Sequence, residues 1–479
     1  MKKLLFFLLL ANFLSAKPID PSQLDKQIIS LTFNEEYDLA IKLCQDQINI
    51  NPNSPKYYYY LINARIMELG KKTAELDPNK RDEGRKILNK EIIDYCENVV
   101  DKFDESKLNP ENKFYYGTIY AYLARVYGSD GSWWSAFKAG KKSKNMMEEV
   151  LKSDSSFYDA YLILGMLEYY ADRMSGITSF IAGVLGLSGD RTKGLDHLQL
   201  AYEKGTLTFG QAALTLIEVN SNLEGNELAA LNYYENFINR FPKNKRVFNA
   251  YCHSLINTWD LKKAEYLINN DKQNLLDNYT RSRFYDIKGN SQLAVQYGVR
   301  ALENEKNLFR GASNSISYII VYNSWLIGDW TSIPKFEQSL SDRGKEVFYL
   351  NKNNEKEGKW LHDLSVLIAN DKSSGEIEVF IKSKPNMNNA KGFEDEFNLS
   401  LGAFYFKNNL YDKAEQSFQK SINAADARDK FTAIKYLVDI YMRQNVDKYK
   451  VENLISAIKD FKNDRLSYRS KDLEKKYNL

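Results

Sequence analysis

A recurring helix-pair spacing limits this chain more than any other feature. The run LGAFYFKNNLYDKAEQSFQKSI carries Leu401, Gly402 and Tyr405, then Tyr411, Ala414 and Phe418. The first three share one helix, the last three share the next, and Asn408-Asn409 lies between them as a turn. Small residues at Gly402 and Ala414 allow two helices to approach. Tyr405 and Phe418 fill the space around them. The same spacing recurs at Tyr37, Ala40 and Cys44, closed by Asn51-Pro52-Asn53, and at Ala230, Tyr234 and Phe237, closed by Phe241-Pro242. Phe248, Tyr251, Cys252 and Leu255 open a further unit whose second helix carries Ala264 and Ile268. Ala230 and Ala264 stand 34 residues apart, but Pro52 and Pro242 stand 190 apart, which is no multiple of 34, so the repeat is irregular. A single helix pair cannot bury its own apolar face, so neighbouring pairs must stack.

Length and composition agree. At 479 residues the chain exceeds what one compact core supports. Nine Pro suit long helices, and 33 Tyr with 25 Phe suit the seams between them. Helices are expected at 22–33, 36–49, 54–69, 84–102, 111–127, 133–151, 156–170, 191–204, 206–220, 226–240, 246–257 and 260–270. More follow in 275–304, at 312–327, 331–342 and 357–369, from Phe393 through the Tyr441 region, and at 449–463. Residues 343–355 are polar, EIEVFI at 376–381 alternates as a short strand would, and the charged tail from Asp464 is expected to fray or cap the array. The organisation read from this is a leader at 1–16, a helical-repeat array at 17–342, an irregular connection at 343–390, and repeats with a charged tail at 391–479.

These positions (Tyr37, Ala40, Ala230, Tyr234, Ala264, Leu401, Gly402, Tyr405, Ala414 and Phe418) resemble the tetratricopeptide repeat. The resemblance implies an all-α fold, an irregular tetratricopeptide-like superhelical solenoid of antiparallel helix pairs. Residues 150–240 carry more. Asp159-Ala160-Tyr161, Leu164-Gly165 and Tyr169-Tyr170 are similar to exported bacterial tetratricopeptide proteins. The block Leu185-Gly186-Leu187-Ser188-Gly189-Asp190-Arg191 with Lys193-Gly194-Leu195 and Leu198 resembles, distantly, a eukaryotic family that includes a mitochondrial outer-membrane inclusion-body clearance protein. That likeness implies an adaptor fold and supplies no catalytic residue.

MKKLLFFLLLANFLSA reads as a cleavable export signal: Lys2 and Lys3, an apolar run from Leu4, then Ser15 and Ala16. The expected location is the periplasm or the exterior, with peripheral attachment to the outer membrane left open. No later apolar stretch reaches the length of a membrane span. With 66 basic and 63 acidic residues interleaved, no nucleic-acid partner is expected. Cys44, Cys96 and Cys252 and the three His show neither disulfide nor metal spacing, so no cofactor or metal is expected. Gly186–Arg191 lacks the spacing of a phosphate loop.

The residues that face a partner on this reading are aromatic. Tyr57, Tyr58 and Tyr60 belong to a four-tyrosine run that must point in several directions. Trp133 and Trp134 follow a Gly turn, where they pack across a hairpin or stack on a sugar or peptide. Phe180 and Leu185 belong to the apolar insert 177–187, which either plugs the array or touches lipid or a partner. The function expected is a non-enzymatic scaffold or adaptor of the cell envelope, presenting a concave helical groove to a protein or peptide. The alternatives are a peripheral membrane or lipid-associated module using 177–187, and a cell-wall sugar-binding or glycan-processing protein.

Overall fold

A computed structural model of the chain describes residues 20–76, 80–174, 183, 186–187, 189–304, 311–387, 392–424 and 426–479. Among them the fold is all-α, with helices packed largely as neighbouring pairs. The leader at 1–16, Phe180 and Leu185 lie outside the described residues. The chain divides into two compact units, Met1–Thr73 with Asp82–Thr215, and Ala74–Arg81 with Leu216–Leu479.

The first unit holds α1 (Gln23–Phe33), α2 (Tyr37–Ile50), α3 (Pro55–Glu75), α4 (Arg81–Val100), α5 (Pro110–Ser129), α6 (Trp133–Ser153), α7 (Ala160–Asp172), α8 (Arg191–Lys204) and most of α9 (Phe209–Glu218). Ser22 and Asp25 start α1 as a reciprocal capping box. Glycines set the closest crossings. A Cβ on Gly165 would meet the Gly194 carbonyl at 2.8 Å, so α7 and α8 touch through backbone. Asp190 caps α8 by accepting the Lys193 amide at 3.0 Å, as its position before Arg191 implies. Gly189 lies so close to Asp172 that any side chain there would strike its amide.

The second unit continues with a π turn (Val219–Leu223), then α10 (Glu227–Arg240), α11 (Lys245–Asn257), α12 (Leu261–Asn269), α13 (Asn278–Ile287), α14 (Ser291–Asn304), α15 (Ala312–Leu326) and α16 (Ile333–Glu337). After these come α17 (Asp342–Asn353), α18 (Glu355–Ala369), α19 (Ser374–Ile381), α20 (Phe393–Lys407), α21 (Tyr411–Ser421), α22 (Ala427–Arg443), α23 (Lys448–Phe461) and α24 (Asp464–Tyr477). The small residues singled out by the recurring spacing sit where small size matters. Ala40, Ala230, Ala264 and Ala414 are fully buried, and a Cβ on Gly402 would enter the Phe418 ring at 2.7 Å. Asn409 turns the α20–α21 connection with a left-handed φ of 60°.

Two expectations are corrected here. EIEVFI is a helix, not a strand. Ser373 and Glu376 form a capping box, and Ile377, Phe380 and Ile381 share a helical face on one core cluster. The polar stretch after 342 is α17, started by Ser341 and anchored by the fully buried Phe348. Of the two outcomes open for the charged tail, fraying does not occur and packing at the end of the chain does: Leu466, Arg469, Ser470 and Leu473 form a buried stripe along α24, which packs on α22 and α23.

Within the second unit the array turns back on itself. The π turn packs against α24, Gly225 lies beside the Arg465 and Phe431 side chains, and Lys435 bridges Glu227 at 3.2 Å. Farther along, Val366 fills the space at Gly289, and Asn370 donates to the Lys288 carbonyl at 3.3 Å. Asp371 takes both Lys262 and Lys407.

Candidate functional site

Several helices of the second unit carry polar residues on otherwise apolar faces. On α11 the group is His253, half-buried among Cys252, Leu255 and Ile256. Its Nδ1 lies 2.6 Å from the Arg283 guanidinium and its Nε2 lies 3.0 Å from Thr280 Oγ1. An arginine only donates, so Nδ1 must accept, and Nε2–H then donates to Thr280. The Thr280 hydroxyl in turn donates to Asn249 Oδ1 at 3.1 Å. Burial and the Arg283 charge together lower the His253 pKa to about 3, which fixes the ring neutral.

One turn beyond Arg283, Asp286 accepts from Asn323 Nδ2 at 2.6 Å. Burial raises this carboxyl to about 6 against the help of Asn323 and Arg283. Asn323 is fully buried on α15, and its own Oδ1 lacks a hydrogen-bond partner. Tyr318 and Tyr322, also on α15, stack with ring centroids 5.7 Å apart and planes 12° apart. Tyr322 meets the His362 ring of α18 at 5.9 Å. Burial pushes both tyrosine hydroxyls up, and the charges of Glu396 and Asp286 act on each.

Glu396, on α20, is the central group. Its side chain is open to water, yet protein surrounds the position closely enough to raise its carboxyl to about 7, with Asp429 of α22 adding to the rise. Among the described residues the Glu396 side chain has no hydrogen-bond or ion-pair partner, and neither do the Tyr318 and Tyr322 hydroxyls. Two cations lie nearby: Arg343 pairs with Asp426, and the charges of Arg343 and Arg428 act on both Asp429 and Tyr318.

The aromatic residues singled out from the sequence are not brought together here. Tyr58 and Tyr60 are buried in the core of the first unit, where Tyr60 packs on Tyr59 and Tyr115; Tyr57 is half-buried. Trp133 and Trp134 remain 41% and 50% exposed. Trp133 stacks on Phe137, which packs with Leu187 and Met174, and Lys138 lies over Trp134 at 5.2 Å. A depression of about 370 Å³ in the same unit is lined by Leu108, Pro110, Lys113, Glu149, Lys152 and Ser153, with Lys113 and Glu149 already bridged at 2.6 Å. Cys44, Cys96 and Cys252 are free and buried, and burial pushes each thiol up to about 12, which makes them poor nucleophiles.

Sequence reasoning did not single out these residues: His253 is one of three scattered histidines, Asp286 sits alone between Tyr285 and Ile287, and Glu396 ends the run Glu394-Asp395-Glu396, which reads as helix surface charge. The available signal was a charged or imidazole side chain on an otherwise apolar helix face. Among the described residues no three His, Cys, Asp or Glu converge as metal ligands, and no helix is long and apolar enough to cross a membrane. No protein-family model and no curated protein matches the sequence.

Proposed function

We propose that this chain is a non-enzymatic interaction scaffold of the cell envelope, a tetratricopeptide-like solenoid that receives its partner on the inward face of the second unit. The observation that carries this reading is the set of partner-free polar groups there, Tyr318, Tyr322 and Glu396, on helices whose other faces are well packed. Polar and aromatic side chains left without protein partners in an enclosed, water-accessible place are the usual lining of a binding site. Repeat arrays commonly bind along the surface formed by successive first helices. The envelope location rests on the basic, apolar and small-residue order of residues 1–16.

A photo-crosslinking amino acid placed at Tyr322 in the full chain, expressed in its native cell, tests the site. Crosslinks are expected at Tyr322 and not at Tyr449, which is 69% exposed on the outside of α23. Crosslinking at Tyr449 with none at Tyr322 removes the inward-face reading. Export predicts a mature N-terminus near Lys17 by mass spectrometry; an intact Met1 in the envelope fraction contradicts it.

A second reading is peripheral membrane association through the first unit. It is favoured by the exposed Trp133 and Trp134 with Lys138 beside them, since tryptophan and lysine together suit a lipid headgroup region. Flotation with anionic liposomes separates the two readings. Binding lost in Trp133→Ala/Trp134→Ala supports the membrane reading, and failure of the intact protein to float rejects it.

A further inference from the structure

We propose that the depression of about 370 Å³ in the first unit binds a carboxylate that carries a small apolar group, either the free end of a peptide or a short branched acid. This site uses other residues than Tyr318, Tyr322 and Glu396 and does not rest on the inward-face reading.

The depression lies where the start of α5 meets the end of α6. Opposite ends of two helix dipoles adjoin there and offset each other, so the lining side chains set the sign of the charge. The charged members of the lining are Lys113, Glu149 and Lys152. Lys113 and Glu149 neutralise each other at 2.6 Å. Lys152 has no ion-pair partner among the described residues. Asp154, two residues on, is engaged by the Ser156 amide at 2.9 Å and the Ser156 hydroxyl at 2.6 Å. The lining therefore holds one uncompensated positive charge, which one carboxylate balances and a doubly charged phosphate would exceed. The opposite wall is apolar, with half-buried Leu108 and with Pro110 in the first turn of α5. Proline has no N–H to offer, so this wall presents hydrocarbon. Ser153 spends its hydroxyl proton on the Val150 carbonyl at 2.7 Å and keeps lone pairs for a ligand N–H. The volume falls within the range of small-molecule sites, about 300–1,000 Å³.

Saturation-transfer NMR of the full chain, which detects weak binding, tests this with three probes. N-acetylvaline stands for the free end of a peptide, isovalerate for a short branched acid, and N-acetylvaline amide is the neutral control. At least one carboxylate should bind and the amide should not. Binding of N-acetylvaline alone identifies a peptide end as the source, and binding of both acids identifies any branched carboxylate. Lys152→Gln, at an exposed position, should weaken binding about fivefold, the most that an exposed ion pair supplies. Lys141→Gln serves as the comparison. Lys141 is an exposed lysine of the same helix outside the lining, and its loss should leave binding unchanged. N-acetylglycine, which lacks the apolar branch, should bind more weakly than N-acetylvaline.

Absence of transfer to both carboxylates overturns the proposal, as does equal binding of the amide. Equal effects of Lys152→Gln and Lys141→Gln also overturn it, because the attraction would then belong to the basic helix surface and not to the depression. Equal binding of N-acetylglycine and N-acetylvaline removes the role of Leu108 and Pro110 and with it the assigned ligand class.

Discussion

Single residues carry large parts of this fold because buried polar groups lack substitutes. Asp159 accepts the Leu207 and Thr208 amides at 2.9 Å each, and the hydroxyls of Thr208 at 2.8 Å and Thr206 at 3.2 Å, fixing the start of α9. Asp159→Ala strands those donors and should cost about 1–3 kcal/mol in urea unfolding. Wild-type stability in this variant would show that water replaces the carboxylate. Arg469 and Asp439 form a buried ion pair at the contact of α24 with α22. Arg469→Met leaves Asp439 uncompensated and should destabilise by about 3–5 kcal/mol. The double variant Asp439→Leu/Arg469→Met should recover most of that loss, and a double variant as unstable as the single would refute this account. At Gly402 the constraint is steric. Gly402→Leu pushes into the buried Phe418 ring and should cost about 1–3 kcal/mol by denaturant unfolding.

Helix faces determine the pH response. His253 of α11 has its folded pKa lowered to about 3, against about 6.5 in an unfolded chain. Its contribution to stability is present above pH 6.5 and is lost as pH falls toward 3, because the unfolded chain takes up a proton the folded ring refuses. Asp286 of α13 and Glu396 of α20 act in the opposite sense. Their folded pKa values, about 6 and about 7, lie above the unfolded values of about 3.9 and 4.3. Stability contributed by these groups is present below about pH 4 and is lost as pH rises through 6 to 7. Glu396→Gln should therefore raise the Tm at pH 8 relative to wild type and narrow the difference at pH 5, read by thermal circular dichroism. An equal change at both pH values would mean that Glu396 does not titrate in this window. Glu396 is open to water, so solvent screening reduces the size of the effect without changing its sign.

At the scale of the second unit, closure of the array is the decisive feature. The π turn at 219–223 rests on α24, although more than 240 residues separate them in the chain. Truncation after Lys462 removes the Leu466 and Leu473 contacts and uncovers that turn. Hydrogen exchange should then show faster exchange at Val219–Leu223, and unchanged protection there would mean that α24 does not hold the turn. The Lys435–Glu227 bridge should contribute little alone, about 0–1 kcal/mol, with packing at Gly225 and α24 supplying the rest.

Local pattern by itself determined the helices and most of their pairing. Small residues at Ala40, Ala230, Ala264, Gly402 and Ala414 announce close helix contacts whatever lies further away, and Asp190 announces a helix start from its neighbours alone. Local pattern was misleading at EIEVFI, where three apolar residues fit an alternating strand and a helical face equally, and the Ser373–Glu376 box together with the α18–α20 cluster selects the helix. The α24 tail carried its Leu466–Leu473 stripe in plain view, but charge density around it masked a face that exists only when α22 and α23 are present to cover it. The surroundings of the polar residues in the second unit were decided by tertiary structure alone. His253, Asp286, Tyr322 and Glu396 come from four helices spread over 144 residues. Their pKa shifts arise from how closely protein surrounds them, a property of three-dimensional enclosure that sequence spacing does not encode.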